Sequence, residues 1–203
     1  MARGALNAVA IFELPNDPVL VALPKTRVTI IHETWRSSCI VPTKRMTATD
    51  GTLRMIIAAV SPATDEARGL IWELDTEIAA LYPGSTINGI DAAEFEESGG
   101  YFVIAREADQ ALGCGGFRPV DERCAEIKRL FVRASARRRG VARQILRHLE
   151  TEVRRRGFRT MVLETGCDNA EARALYEAEG YFPIPAFLGY VGIPISRCYA
   201  KWA

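Results

Sequence analysis

The chain has 203 residues, 48% of them hydrophobic, enough for one well-buried core and an appendage. Its formal net charge of +1 selects no class of partner, and no stretch approaches the roughly 20 apolar residues of a membrane span. Five cysteines and two histidines are scattered without a CxxC pair, so neither a disulfide framework nor a metal site is expected, and reduced thiols in a soluble, cytoplasmic protein are.

Residues 1–45 differ in composition from the rest of the chain. Pro15, Pro18, Pro24 and Pro42 interrupt apolar patches such as Val28–Ile31, and repeated prolines break helices and interior strands. This run reads as an N-terminal extension outside a main domain at 46–203. Two readings stay open: a mobile appendage, or residues upstream of a domain that starts at Met46 or Met55. Arg3 is followed by no sustained apolar run ending in small residues, so no secretory signal is expected.

From Thr52 the pattern is regular. Leu53–Val60 predicts an apolar strand closed by Ser61-Pro62. Asp65–Tyr82 predicts a helix with Ile71, Leu74, Ile78 and Leu81 on one face, stopped by Pro83-Gly84. An acidic loop with a short helix near Ala92–Ser98 precedes a hairpin of Tyr101–Arg106 and Ala111–Val120. Ala125–Val132 is another strand, and a long helix is expected over Arg137–Arg156, where Val141, Ile145, Leu149 and Val153 form an apolar stripe. Gly157 ends it. Arg159–Thr165 predicts a strand, Asn169–Glu179 a helix stopped by Gly180, and strands follow at Tyr181-Phe182 and Ser196–Trp202. Strands and helices in this order describe an α/β (α+β) fold, a mixed sheet with helices on its faces.

Charge is unevenly distributed. Ile127–Arg159 holds twelve Lys/Arg against two Glu, leaving 14 basic and 23 acidic side chains elsewhere. The densest part, Arg137-Arg138-Arg139-Gly140-Val141-Ala142-Arg143, falls between a strand and an amphipathic helix. A helix N-terminus offers unpaired N–H groups and partial positive charge, and small residues there let oxygen atoms approach. This is a pyrophosphate-binding arrangement. A solvated basic helix start is the plain alternative, and the flanking strand and helix count against it.

Three stretches taken together resemble the GNAT acetyltransferase superfamily: Glu126–Val132, Arg137–Arg143, and Asn169-Ala-Glu-Ala-Arg-Ala-Leu-Tyr176-Glu-Ala-Glu-Gly180-Tyr181. The likeness covers roughly Leu53–Lys201, about three quarters of the chain. It implies a largely antiparallel central sheet that splays between its fourth and fifth strands, and acetyl-CoA as co-substrate, with no metal. Arg137-x-x-Gly140-x-Ala142 matches the family's acetyl-CoA signature, Arg/Gln-x-x-Gly-x-Gly/Ala. By this resemblance the backbone groups of Leu130, Phe131 and Val132 pair with the pantetheine arm. The amides from Arg138 through Arg139, Gly140, Val141 and Ala142 to Arg143 hold the pyrophosphate, helped by arginine side chains including Arg137.

The resemblance also places Asn169 on the cofactor arm and Tyr176 beside the thioester sulfur as general acid. Asn169 equally suits a helix N-cap, and Tyr176 a core aromatic. Glu126 and Glu164 flank the expected splay; Glu126 is the preferred base, with a salt bridge to Lys128 or Arg159 as its structural reading. Cys124 and Cys167 lie near this region in sequence, but neither has a histidine close by to activate it. An acceptor pocket is expected from Trp72–Glu97 and Pro183–Pro194, walled by Trp72, Tyr82, Phe187 and Tyr190 with Asp91, Glu94 and Glu96 nearby.

The implied activity is acetyl transfer from acetyl-CoA directly to an amine of a small molecule or peptide in a ternary complex. A non-catalytic acyl-CoA sensor on the same fold is the alternative. Neither membrane nor nucleic acid is an expected partner, since no aromatics interleave with the arginines for base stacking. Homodimers are frequent in the family, although no dedicated interface stripe stands out.

Overall fold

The computed structural model describes residues 54–85 and 89–203; the expected extension at 1–45 lies outside the described residues. Eleven main elements occur in chain order: β1 (Met55–Ala59), α1 (Asp65–Leu81), α2 (Ala92–Glu97), β2 (Tyr101–Glu107), β3 (Gln110–Pro119), β4 (Cys124–Val132), α3 (Val141–Arg155), β5 (Thr160–Gly166), α4 (Ala170–Ala178), β6 (Phe182–Ile184) and β7 (Ser196–Trp202). The strands form one sheet in the order β1-β2-β3-β4-β5-β7-β6. Every pairing is antiparallel except β4 with β5. This is the mixed, largely antiparallel sheet that the sequence and its resemblance implied.

Helices cover both faces. The α3 stripe of Val141, Ile145, Leu146, Leu149 and Val153 is buried against Val103, Phe117, Ile127 and Met161 of the sheet, together with Tyr176 of α4. On the other face Ala67 and Leu70 of α1 and Phe95 of α2 pack on Phe102, Ile104, Cys114 and Phe131. Each large aliphatic side chain fully buried here contributes roughly 1.5–3 kcal/mol. The burial of α1 differs from its expected stripe. Ala67 and Leu70 lie deepest, while Leu81 at the C-terminal end is 46% exposed, because the helix runs past the sheet there toward an open groove.

Caps set most helix starts as expected. Thr64 accepts from the Ala67 N–H (3.3 Å), Asp91 from Glu94 (2.9 Å) and Asn169 from Ala172 (3.1 Å), each meeting one orphan amide. The α3 start is the exception. The expected helix at Arg137 begins only at Val141, after a 3₁₀ turn at Ala134–Ala136 and an N-cap at Gly140 with φ 78°. Glycine reaches that left-handed conformation without the steric cost a Cβ imposes.

Candidate active site

The two ends of β4 are paired differently. Cys124–Ile127 is bridged in parallel to Thr160–Leu163 of β5, and the ladder stops there. β3 continues alongside β4 as far as Val132, and β5 continues against β7 as far as Gly166. The strands therefore part at Lys128 and Glu164, opening a groove of about 1340 Å³. Its walls come from Ile127–Val132, the Arg137–Arg143 turn, the C-terminal half of α1, and Asn169–Tyr176. A strand with one free edge is a template for an extended, amide-bearing ligand.

A bulge decides what β4 shows to each side. Cys114 pairs with Phe131 but Gly116 with Lys128, so Gly115 alone stands opposite Arg129 and Leu130. Arg129 takes a φ of 58°. The extra residue reverses the strand's alternation. Ile127, Leu130 and Val132 all face the α3 side, while Phe131 joins the α1 side. Arg129 then reaches Asp75 of α1 in a close ion pair. Sequence spacing alone gave no sign of this shift in parity.

Beyond β4 the turn presents a row of donors. Gly140 supplies no side-chain cap, and the N–H groups of Arg138, Arg139, Gly140, Val141, Ala142 and Arg143 find no acceptor among the described residues. Six orphan amides at the start of a helix form a ready anion site. The arginine side chains are not equivalent. Arg137 is held by Glu77 (2.6 Å) and the Val132 carbonyl (3.0 Å), Arg139 by Glu107 (2.8 Å), and Arg143 by Glu179 (2.7 Å). Arg138, exposed and at φ 62°, makes no ion pair among the described residues. Arg139 alone of this run stands off the groove.

On the opposite wall Asn169 caps α4 through its side-chain oxygen, leaving its amide nitrogen for another partner. Tyr176, two turns on, is 6% exposed and packs edge-on against Tyr181 at 5.8 Å. Its hydroxyl has no hydrogen-bond partner among the described residues, and the residue lines the groove. Burial, and then the nearby Glu164, push its pKa upward.

On the α1 side of the splay lies a buried charged network. Strand alternation puts Glu126 and Lys128 on one face of β4. Glu126 is fully buried, taking hydrogen bonds from Arg118 (2.8 Å) and Tyr190 (2.7 Å) and an ion pair from Lys128 at 3.4 Å. Lys128 also donates to the Tyr190 hydroxyl (3.0 Å), and burial lowers its pKa. Glu126 does not line the groove, whereas Lys128, Tyr190 and Glu164 do. Of its two expected partners Lys128 pairs with it and Arg159 does not; Arg118 joins instead, since β3 lies beside it.

Glu164 accepts from the Ser196 hydroxyl (2.6 Å), and burial raises its pKa. Of the expected acceptor residues, Tyr82 lines the groove and its hydroxyl accepts from the Asp168 N–H (2.8 Å). Phe187 packs edge-on against Tyr190 at 5.2 Å. Trp72 is 68% exposed and away from the groove, and Asp91 caps α2. Sequence reasoning missed Ser196 and Glu77, which carry no motif and matter only through what the fold places beside them. Burial pushes the Cys124 thiol up to about 12 and that of Cys198 up to about 11, so neither is a ready nucleophile. Among the described residues no cluster of His, Cys, Asp and Glu is placed to hold a metal, and no helix is long and apolar enough to cross a membrane.

The sheet thus splays beside a helix start with six unpaired amides, and the comparisons with known proteins say which class of protein carries this arrangement. Residues 67–181 match the acetyltransferase (GNAT) family. The chain is 33% identical over 146 residues to the IAA acetyltransferase of Azospirillum brasilense, covering 71% of this chain and 95% of that one. It is 40% identical over 102 residues to the uncharacterised N-acetyltransferase YsnE of Bacillus subtilis, covering 49% and 68%. The fold is shared with a GNAT family acetyltransferase of Elizabethkingia anophelis solved with acetyl-CoA bound, at TM-score 0.57 and 15% identity, covering 73% and 98%. The chain belongs to the GNAT family and is an acetyltransferase.

Proposed function

We propose that this enzyme moves the acetyl group of acetyl-CoA directly to an amine of a small molecule or peptide, with both substrates bound at once. One observation carries this reading: the free β4 edge, the six orphan amides of the turn and the Tyr176 hydroxyl border a single groove. The pyrophosphate of acetyl-CoA sits on the amides of Arg138–Arg143, with the Arg138 guanidinium beside it. The arm runs along Leu130, Phe131 and Val132 and past Asn169. That leaves the thioester at the splay, near Tyr176.

The neutral amine nitrogen attacks the thioester carbonyl, a new C–N bond forms, the C–S bond breaks, the sulfur takes a proton from Tyr176, and the proton that the nitrogen sheds on becoming an amide restores the phenol through solvent. Burial keeps that phenol protonated, as a proton donor requires. Because a thiol of pKa about 8.5 already gives a fair leaving group, the phenol assists rather than enables departure. Alignment of thioester and amine supplies most of the acceleration.

The test is thiol release from acetyl-CoA against polyamines, aminoglycosides, amino acids and peptides with free N-termini, with calorimetry of acetyl-CoA binding alongside. Turnover of one amine class is expected, with kcat falling roughly tenfold in Tyr176→Phe and acetyl-CoA affinity unchanged. Binding without turnover of any amine would favour the acyl-CoA sensor. No binding at all would remove the groove's assignment.

A further inference from the structure

Resting on this reading, we propose that Lys128 is a specificity residue that binds a carboxylate on the acceptor, so that the acceptor is a free amino acid rather than a polyamine, an aminoglycoside or a peptide N-terminus. Lys128 is the first residue of β4 beyond the last β4–β5 bridge, Ile127 with Leu163, and it lines the groove. Its side chain is 8% exposed. Lysines are seldom buried so far, because leaving water disfavours an ammonium that is not fully paired.

The pairing of Lys128 falls short of its charge. Among the described residues it meets one carboxylate, Glu126, at 3.4 Å, and that carboxylate already takes a 2.8 Å bond from Arg118 and a 2.7 Å bond from the Tyr190 hydroxyl. Two cations thus share one anion. The other contacts of Lys128 are to Tyr190, its hydroxyl at 3.0 Å and its ring centroid at 5.6 Å. An ammonium has three protons, and the two oxygens take two of them. Glu164, across the opening, feels the charge of Lys128 without an ion pair and is bonded to Ser196. Burial lowers the pKa of Lys128 more than Glu126 raises it. An anionic ligand supplies what the pair lacks.

The rest of the groove suits a carbon skeleton. Ile78, Leu81 and Tyr82 at the end of α1 and Ile193 and Ile195 before β7 line it. The Ile193 N–H donates to the Tyr190 carbonyl at 3.1 Å, which ties this wall to the residue whose hydroxyl holds Lys128. Apolar walls around one cation fit an apolar amino acid. An α-amino acid carries its carboxylate one carbon from the reacting nitrogen, so a single cation at the splay holds one while the other meets the thioester. A peptide offers a neutral carbonyl at that position. A polyamine or an aminoglycoside offers further cations, which the ammonium repels.

The experiment measures kcat/KM, per unprotonated amine, for leucine, leucinamide and 3-methylbutylamine, which share a skeleton and differ in the group beside the nitrogen. Wild type, Lys128→Met and Lys128→Arg are compared. In wild type leucine should exceed the other two at least roughly tenfold, mainly through KM, as one charge-assisted bond implies. The preference should fall to about one in Lys128→Met and survive in part in Lys128→Arg. Calorimetric titration of N-acetylleucine and N-acetylleucinamide into the CoA-loaded protein reads the same contact without turnover: the acid should bind at least roughly tenfold tighter to wild type, and no tighter to Lys128→Met. Unchanged acetyl-CoA affinity shows that the variants are folded; should Lys128→Met not fold, the two wild-type comparisons decide. Equal use of leucine and leucinamide, a polyamine or peptide used faster than any amino acid, or a preference that persists in Lys128→Met overturns the assignment while leaving acetyl transfer standing. No turnover of any amine by wild type fails the preceding reading instead, and the N-acetylleucine titration then decides for Lys128 alone.

Discussion

The two halves of β4 show how one strand can be both framework and site. Over Cys124–Ile127 it is paired on both edges, and its one charged side chain, Glu126, is sealed and satisfied by three donors. Over Lys128–Val132 it keeps only β3, bulges at Arg129, and faces the groove. Glu126 and Glu164 stand on either side of this boundary. The first is held by Arg118 and Lys128; the second makes no ion pair among the described residues.

Removing the closed half's central charge has the largest expected effect. Glu126→Ala leaves Lys128 buried without its carboxylate and deprives Arg118 and Tyr190 of theirs, costing about 3–5 kcal/mol in urea unfolding. A loss below roughly 1 kcal/mol would show that the network is better solvated than its burial implies.

Next comes the turn beyond the open half. Arg138→Ala should weaken acetyl-CoA binding roughly tenfold by calorimetry with unchanged unfolding, because a charge-assisted bond to phosphate is lost. Arg139→Ala, which breaks an exposed pair with Glu107, should change binding by less than about twofold. Equal effects would mean that the turn acts through summed charge rather than through a single placed guanidinium.

The smallest effect concerns stability at Glu164. Its pKa is raised on folding above the ordinary 4.5, so the native state holds the proton more tightly than the unfolded chain. The contribution of Glu164 to stability is then fully present below 4.5 and is lost as pH rises through the raised value. Glu164→Gln should abolish that loss and raise Tm at neutral pH by roughly 1–2 °C. A decline of equal slope in both proteins would place the titrating group elsewhere.

The order of elements was legible because periodicity and punctuation agreed. The α3 stripe repeats every four residues, Gly157 and Gly180 end helices, and Asn169 caps α4. The arginine-rich turn before α3 was legible as a local motif. Its details were not: four arginines close in sequence divide into three held by Glu77, Glu107 and Glu179 and one without an ion pair among the described residues, and those glutamates lie on α1, at the end of β2 and just after α4. Composition cannot tell which positive charge is already neutralised.

The acceptor side was least legible. Acidic residues near Asp91 stand out because they cluster in sequence, yet Asp91 serves a cap, and the carboxylate at the splay is a lone Glu164 in an apolar strand.

By itself the sequence determined the strand and helix order, the basic glycine-containing turn before α3 and the family, since these depend on period, glycine placement and contiguous residues. Only the tertiary structure decided where β4 leaves β5, how the bulge at Arg129 reverses the strand's faces, and which of Glu126 and Glu164 is already paired. The reason is physical: hydrogen-bond register and charge pairing join residues far apart in the chain, and their energies depend on burial that no local pattern records.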